Sequence, residues 1–452
     1  MYDFKYSSSD HLNCKYESFR QNPLSQFRSA PLTAELCTYS IQLTTLSNDI
    51  VFNLLSFLSQ ASIFSIELPV SSKFGGIMTA ENTALNAAAE YLANPRFHQT
   101  ITIPSGGKHG DVLISYSECG HLDSSSDAEA PTILFTPGMF GSRYLGTFMH
   151  AFGQKHGVRV LVPDRFGFGK TPNVGVEDRI KDWVAILPKF LEALGIKHVA
   201  LASHSAGTLY NMNLLWYSRH ILHPQHPMVF FFAPFVDGAC SNAALISSLQ
   251  VFPVFALSQW NKLAKFFVVQ ASGTIEASSG ILGQMAQALT PGNQEPSERE
   301  KNMRAIERDY GPAYDTQVEL ERLMVRGMFE QETAGANWEA VNCLKKGPKG
   351  AWDEADNMHD LVGRIVSREK ETYSEGQAGK LSVSIYFAES DIMTGKKGQD
   401  YFRSCWEEAA GAHDQRVEIK ARTVEKTNHD SVLTNVETLA DMFKLVSEMK
   451  SS

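Results

Sequence analysis

With 452 residues, the chain can hold one large domain with insertions or two ordinary domains, and either option allows a substantial core. Hydrophobic residues make up 43% and charged residues 20%, which argues against wholesale disorder and against a polytopic membrane protein. The net charge of -9, without a long basic run, argues against nucleic acid as a partner.

The cysteines are scattered through the sequence and form neither C-x-x-C pairs nor clusters with histidine. This distribution argues against a disulfide framework and against a zinc site. The N-terminus lacks the pattern of a secretory signal peptide, and the sequence contains no Asn-x-Ser/Thr acceptor. We therefore expect an intracellular, cytoplasmic protein with free thiols and no metal.

Residues 1–75 are rich in Ser, Asn and Gln and carry no catalytic signature, so they are predicted only as an N-terminal extension. Residues 50–68 form its most apolar stretch, but polar residues interrupt this stretch repeatedly. A membrane-spanning helix needs about 20 predominantly apolar residues. We expect a helix that packs on the protein or lies on a membrane surface.

Residues 76–235 show strands that alternate with helices, which is typical of parallel β/α units. A helix ends before Pro95, and a pair of strands joined by a glycine-rich turn follows it. The predicted elements are a helix over 79–94, strands over 100–104, 111–116, 132–136 and 158–162, a helix over 176–194, a strand over 199–202, a helix over 209–216 and a strand over 228–233.

Strand patterns disappear over residues 236–350, and helical patterns replace them. A capping-box pattern, Ser297-x-x-Glu300, opens a charged helix, and another helix is predicted between residues 316 and 330. Over residues 351–452 the alternation resumes, with a helix over 352–370, strands over 381–387 and 417–424, and a last amphipathic helix through 432–446. The polar alternation of the strand over 417–424 suits a sheet edge.

The run Gly167-Phe-Gly-Lys-Thr171 ends like a phosphate-binding loop. The glycine that this motif requires five positions before Gly169 is Asp164, so the pattern fails. A third glycine for a dinucleotide-binding fingerprint is also missing. The sequence therefore predicts no nucleotide cofactor.

Ser205 lies where an apolar strand stops at a cluster of small residues and becomes a helix. Ser203 stands two positions before it and Gly207 two positions after it. A strained turn that exposes its central side chain brings the neighbouring backbones together and leaves little room for side chains. The spacing resembles the nucleophile elbow of the α/β-hydrolase family, G-x-S-x-G, with Ser203 in place of the first Gly. An ordinary strand-to-helix turn is the alternative interpretation.

Two further segments extend the resemblance to about residues 98–449. The run from Asp164 to Thr171 is similar to the family's D-R-x-G-x-G-x-S/T loop after the fourth strand, whose role there is mostly structural. The resemblance implies an α/β fold with a mostly parallel, doubly wound sheet. It also implies that residues 236–350 form a helical lid inserted after the sixth strand, although a separate helical domain without influence on the site is the alternative.

The resemblance implies a catalytic triad in the chain order serine, acid, histidine. Ser205 would be the nucleophile and His429, in the segment after the last strand, its base. Asp391 follows the strand that ends at Phe387 and matches the family's acid-bearing turn. Asp237, directly after the strand over 228–233, is the alternative acid, because some members of the family place it there.

Two backbone N–H groups are the expected donors to the oxyanion. Ala206 stands at the start of the helix after the nucleophile. Met139 lies in Pro137-Gly138-Met139, which resembles the family's H-G-x turn after the third strand, with Pro137 in place of the usual histidine.

These resemblances imply a cofactor-independent serine hydrolase that forms an acyl-enzyme. The expected substrate is a small to medium apolar ester or related carbonyl compound, because the predicted lid has many apolar residues. They are Val251, Phe252, Val254, Phe255, Leu257, Trp260, Phe266 and Phe267. The alternatives are an acyltransferase, C–C hydrolase or lyase on the same triad, and a non-catalytic ligand-binding protein. A serine at the elbow argues against epoxide hydrolases and haloalkane dehalogenases.

Overall fold

A computed structural model gives the fold and describes residues 80–104, 110–122, 130–241, 243–265, 297–372, 379–411 and 415–451. The chain divides into two units, Met1–Gly76 and Ile77–Ser452, and all of the described residues belong to the second. The predicted N-terminal extension, with residues 50–68, lies outside the described residues. Among the helices that are described, none combines the length and the apolar character needed to cross a membrane.

The described residues contain one eight-stranded sheet. Its strands are β1 Gln99–Pro104, β2 Asp111–Gly120, β3 Thr132–Thr136, β4 Arg159–Pro163, β5 Ala200–His204, β6 Met228–Phe232, β7 Leu381–Ser390 and β8 Val417–Asn428. The order across the sheet is β1-β2-β4-β3-β5-β6-β7-β8. β2 pairs antiparallel with β1 and β4, and all other pairs are parallel. The predicted α/β fold with a mostly parallel sheet is confirmed.

Burial follows the position of each strand in the sheet. Every residue of β3, β4, β5 and β6 is buried, as their continuous apolar runs predict for strands covered on both faces. β1 and β8, at the two edges, consist mostly of exposed and half-buried residues, with few buried ones. β8 therefore occupies the edge position that its polar alternation predicts.

Helices cover both faces of the sheet. They are α1 Ala80–Leu92, α2 Gly146–His156, α3 Arg179–Ala193, α4 Gly207–Tyr217, α5 Gly238–Ser241, α6 Ala244–Leu249, α7 Val254–Leu257, α8 Trp260–Lys265, α9 Glu298–Tyr310, α10 Tyr314–Glu330, α11 Ala334–Cys343, α12 Met358–Thr372, α13 Gly395–Ala410, α14 Ser431–Thr434 and α15 Val436–Ser447. Short 3-10 helices occur at Pro95–Phe97, Arg143–Leu145, Arg219–Ile221, Asp353–Asn357 and Glu448–Ser451.

The core consists of two main clusters, one on each face of the sheet. Leu134 and Leu201 point into the cluster shared with α3, α4, α12 and α13, whereas Ile133 and Ala200 point into the cluster shared with α2 and α15. Successive strand residues face opposite sides, so each apolar strand supplies both clusters.

The segment between β6 and β7 contributes helices α5 to α12 and, among its described residues, no strand. We call helices α5 to α11 the insertion. The predicted capping box is present in part, since Ser297 Oγ accepts a hydrogen bond from the N–H of Glu300 at 3.1 Å. Helices α2, α11 and α13 have no counterpart among the predicted elements. The predicted last helix is interrupted at Asn435, whose side chain caps the start of α15.

Gly207 allows α4 to pack directly against the backbone that follows β3. A side chain at Gly207 would collide with the Thr136 carbonyl oxygen and would lie 2.8 Å from that of Pro137. We expect Gly207→Ala to lower the free energy of unfolding by about 1–3 kcal/mol, because backbone atoms cannot yield as side chains do. Urea denaturation measures this change.

Gly363, inside α12, provides the matched control. A side chain there meets no atom within 4 Å, and the position is helical. The same substitution, Gly363→Ala, should raise the free energy of unfolding by about 0.5–1 kcal/mol. If Gly207→Ala is as stable as the wild type, the close approach of α4 to the loop after β3 is wrong.

Candidate active site

Ser205 occupies a strained turn between β5 and α4. Its φ angle of 51° is in the left-handed region, which a non-glycine residue rarely adopts. The Ser205 N–H donates to the Phe232 carbonyl oxygen at 3.0 Å, so β6 holds the turn from one side. Ser203, in the position of the first glycine of the elbow pattern, is fully buried, and among the described residues its hydroxyl has no hydrogen-bond partner. The space therefore accommodates a serine side chain, but its hydroxyl group forms no hydrogen bond with any described residue.

Ser205, His429 and Asp391 form a hydrogen-bonded row. Ser205 Oγ lies 2.8 Å from His429 Nε2, and His429 Nδ1 lies 2.9 and 3.0 Å from the two carboxylate oxygens of Asp391. Each of the three residues lies at the carboxyl end of a parallel strand. Ser205 directly follows β5, Asp391 directly follows β7 and His429 directly follows β8. The sheet therefore brings together side chains that are far apart in the sequence.

Asp391 is held by its own turn as well as by His429. Its Oδ1 accepts hydrogen bonds from the N–H groups of Met393 at 2.9 Å and Thr394 at 2.8 Å. Burial alone would raise the pKa of this carboxyl group, but the charge and hydrogen bond of His429 and the two N–H donors lower it below its usual value. Asp391 is therefore kept as a carboxylate that accepts the Nδ1–H of His429.

The ionisation of His429 depends on its two acidic neighbours. Burial is the largest single influence and would lower the pKa of His429. The charge and hydrogen bond of Asp391, together with the charge of Asp430, outweigh burial and raise this pKa above 6.5. With Nδ1–H donated to Asp391, the neutral ring presents Nε2 as a proton acceptor toward Ser205.

His204 is a contact of this site that the sequence analysis did not identify. Its Nε2 lies 2.8 Å from the carbonyl oxygen of His429, so this nitrogen must carry the hydrogen. Burial, followed by the charge of His429, lowers the pKa of His204 to about 4. His204 is therefore a neutral donor that fixes the backbone of His429. The sequence gives no signal for this role, because His204 stands at a position of the G-x-S-x-G pattern where any residue is allowed.

Asp237, the alternative acid, lies in a different environment. Its side chain accepts from the N–H of Ala239 at 2.9 Å and forms an ion pair with Lys345 at 3.3 Å. The structure pairs His429 with Asp391 and leaves Asp237 in this separate contact.

The loop after β3 lies directly against Ser205. A side chain on Gly138 would come within 3.1 Å of Ser205 Cβ and 3.0 Å of His204 Nδ1. Met139 is the next residue, and the Gly138 carbonyl oxygen accepts from the N–H of Gly141 at 2.8 Å to close a turn around it. Ala206 immediately precedes α4, where backbone N–H groups favour negative charge. Of the two predicted oxyanion donors, Ala206 directly follows Ser205 in the chain, and Met139 directly follows Gly138, which lies against Ser205.

A cavity of about 840 Å³ adjoins this site at Gly138 and His204. Its apolar wall comes largely from α9 and α10 of the insertion, through Met303, Leu320, Met324 and Met328. The apolar residues that the sequence analysis assigned to pocket lining are elsewhere: Val251 is 81% and Phe255 65% exposed, and neither borders this cavity. Phe266 and Phe267 lie outside the described residues.

The described residues contain no cluster of three or more His, Cys, Asp or Glu side chains that could hold a metal ion. A hydroxyl group, an imidazole and a carboxylate in a row can instead transfer a proton from the hydroxyl to the imidazole. Such a transfer makes the hydroxyl oxygen a nucleophile.

Part of the chain matches a known protein family. The sequence model of the alpha/beta hydrolase family matches residues 133–343. No curated protein sequence matches the chain.

Similar solved structures include enzymes of several activities. One is a thermophilic esterase from Thermogutta terrifontis, with 12% identity over 77% of this chain and 99% of that chain and a TM-score of 0.41. Another is the epoxide hydrolase VrEH1 from Vigna radiata, with 14% identity, 76% and 95% coverage and a TM-score of 0.44. A third is the haloalkane dehalogenase DatA from Agrobacterium tumefaciens C58, with 14% identity, 79% and 99% coverage and a TM-score of 0.42.

Asp391→Asn tests which acid controls the ionisation of His429. Without the carboxylate charge, burial becomes dominant, so we expect the pKa of His429 to fall below 6.5. The titration of the His429 ring, followed by NMR, measures this shift. Asp237→Asn is the matched control and should leave the titration unchanged. A shift caused by Asp237→Asn, or none caused by Asp391→Asn, would show that Asp391 is not the controlling acid.

Proposed function

We propose that this chain, which belongs to the α/β-hydrolase fold superfamily, is a serine hydrolase that cleaves an ester or related carbonyl bond. The observation that supports the proposal is the row formed by Ser205, His429 and Asp391, with contacts of 2.8 to 3.0 Å. A row of this kind fits acyl transfer through serine, in which each of the three groups has a separate role.

In the proposed reaction, His429 Nε2 takes the hydroxyl proton while Ser205 Oγ attacks the carbonyl carbon. The N–H groups of Ala206 and Met139 stabilise the oxyanion of the tetrahedral intermediate. The protonated His429 then gives its proton to the leaving alcohol, and an acyl-enzyme remains. Water, deprotonated by His429, attacks the acyl carbon, and the protonated His429 then returns its proton to Ser205 Oγ as the bond between Oγ and the acyl group breaks and the acid is released. Asp391 stays ionised throughout and stabilises the imidazolium.

The proposed substrate is apolar and of small to medium size. The cavity next to Gly138 and His204 has an aliphatic patch from α9 and α10 beside polar and charged lining residues, and its volume of about 840 Å³ suits such a molecule. The methionines in this wall have flexible side chains that can adapt to several shapes. The insertion would then act as the lid that shapes the substrate pocket.

A fluorophosphonate probe tests the proposal directly. Such probes phosphonylate an activated serine, so we expect labelling of Ser205 in the wild type and none in Ser205→Ala. His429→Gln should slow labelling by at least about 100-fold, since it removes the base. Mass spectrometry of the labelled peptide identifies the modified residue.

Asp237→Asn is the matched control in this experiment and should be labelled at the wild-type rate. A wild-type protein that is folded but does not react would support a non-catalytic ligand-binding protein instead. Product analysis with and without an alcohol acceptor separates hydrolysis from acyl transfer, because both reactions share the acyl-enzyme.

The pH dependence of labelling follows from the ionisation of His429. The base must be neutral, so the rate should fall as the pH drops through the pKa of His429. Because this pKa is raised, the midpoint of the acid limb should lie above 6.5. The rate constant of labelling, measured between pH 5 and pH 9, gives the midpoint. A midpoint at or below 6.5 would show that Asp391 and Asp430 do not outweigh the effect of burial on the pKa of His429.

A further inference from the structure

Arg165 binds the loop that carries the Met139 N–H. It follows β4 and is 1% exposed. Its Nη1 donates to the Pro137 carbonyl oxygen at 2.6 Å, and its Nη2 donates to that of Gly138 at 2.7 Å. A guanidinium group is planar and presents its donors in a rigid fork, so the two contacts fix both carbonyl groups in direction as well as in position.

The direction of the Gly138 carbonyl decides the direction of the next N–H. The carbonyl of Gly138 and the N–H of Met139 belong to one planar trans peptide unit, in which they point opposite ways. Arg165 holds the carbonyl of Gly138, and Gly138 itself lies directly against Ser205. The contact therefore restricts rotation of the Met139 N–H.

Arg165 is in turn held by a carboxylate of the insertion. Glu339, in α11, is 1% exposed, and its Oε1 accepts from Arg165 Nε at 3.2 Å. The same oxygen accepts from Tyr210 Oη at 2.6 Å and Arg179 Nε at 3.4 Å. A buried carboxylate is stable only when it is paired and hydrogen-bonded, so Glu339 and its partners form one dependent cluster.

We infer that Arg165 is a positioning residue for the oxyanion donor at Met139, and that Glu339 of the insertion keeps Arg165 in place. The insertion then contributes to the chemical step through a carboxylate, in addition to the wall of the substrate pocket. This inference rests on the proposed function, since an oxyanion donor matters only if a carbonyl group is attacked.

Arg165→Lys tests the inference, because lysine keeps the charge and loses the fork. The measurement compares p-nitrophenyl butyrate with its thiono analogue, in which sulfur replaces the carbonyl oxygen. Sulfur is a larger and weaker acceptor, so the thionoester gains less from oxyanion donors. Complete loss of one oxyanion donor lowers kcat by about 100-fold or more. Arg165→Lys keeps the Met139 N–H but removes what orients it. We therefore expect kcat for the oxygen ester to fall by about tenfold or more, with KM nearly unchanged. We expect a much smaller fall in kcat for the thionoester. The ratio of kcat for the oxygen ester to kcat for the thionoester should therefore fall.

Arg179→Lys is the matched control. Arg179 is equally buried and shares Glu339, but its other contacts are with Phe166, Asn173 and Val174 rather than with the loop after β3. It should therefore leave the ratio of oxygen ester to thionoester unchanged. If Arg165→Lys slows both substrates equally, or if Arg179→Lys lowers the ratio as much, the positioning role is overturned.

Glu339→Gln provides a second test if Arg165→Lys does not fold, as thermal unfolding will show. Glutamine keeps the size and one acceptor oxygen, so we expect a smaller fall in the same ratio. A folded Glu339→Gln protein with the wild-type ratio would overturn the role of Glu339. Failure of the proposed function is separate, because it would appear as a wild type that hydrolyses neither ester and resists the fluorophosphonate probe.

Discussion

The site depends on close contact between the turn at Ser205 and the loop after β3. Gly207 admits the backbone of Thr136 and Pro137, and Gly138 brings its backbone against Ser205. A side chain at Gly207 would collide with backbone atoms of the loop, and a side chain at Gly138 would force Ser205 or His204 to shift by a few tenths of an ångström. Since donors must lie about 2.7–3.1 Å from the oxyanion, this contact is a condition for any acyl transfer at Ser205.

Two buried charged groups lie on either side of that contact. Asp391 orients His429 from the side of β7 and β8, while the Arg165–Glu339 pair lies under the loop after β3. Each buried charge would be costly alone and is stable because its partners neutralise it. Glu339 comes from the insertion, so the insertion is structurally necessary to the site even without any closing motion. The loop after β3 is therefore bound by Arg165 in full only when the insertion has folded against the sheet and placed Glu339 beside Arg165.

Local patterns in the sequence were sufficient for the parts of the fold that depend on local properties. Apolar runs identify the buried strands. Asp391 and His429 were identified through the resemblance to the α/β-hydrolase family, because each follows a strand at the position where that family carries its acid or its histidine. The roles of His204 and Arg165 could not be predicted, because they come from contacts across 225 and 28 positions, respectively, that leave no period in the sequence. Helix α13 was missed because charged residues occupy much of its surface and obscure its apolar face.

The elbow also concentrates unfavourable features in one place. A non-glycine residue with a φ angle of 51° costs about 1–3 kcal/mol, and an unpaired buried hydroxyl such as that of Ser203 costs about 1–3 kcal/mol. Neither could persist in an exposed loop, because the turn would relax. Here β5 is buried along its whole length, β6 accepts the Ser205 N–H, and α4 is buried over most of its length. The rigidity of this surrounding core is what lets the turn keep Ser205 in a strained conformation and within hydrogen-bond distance of His429.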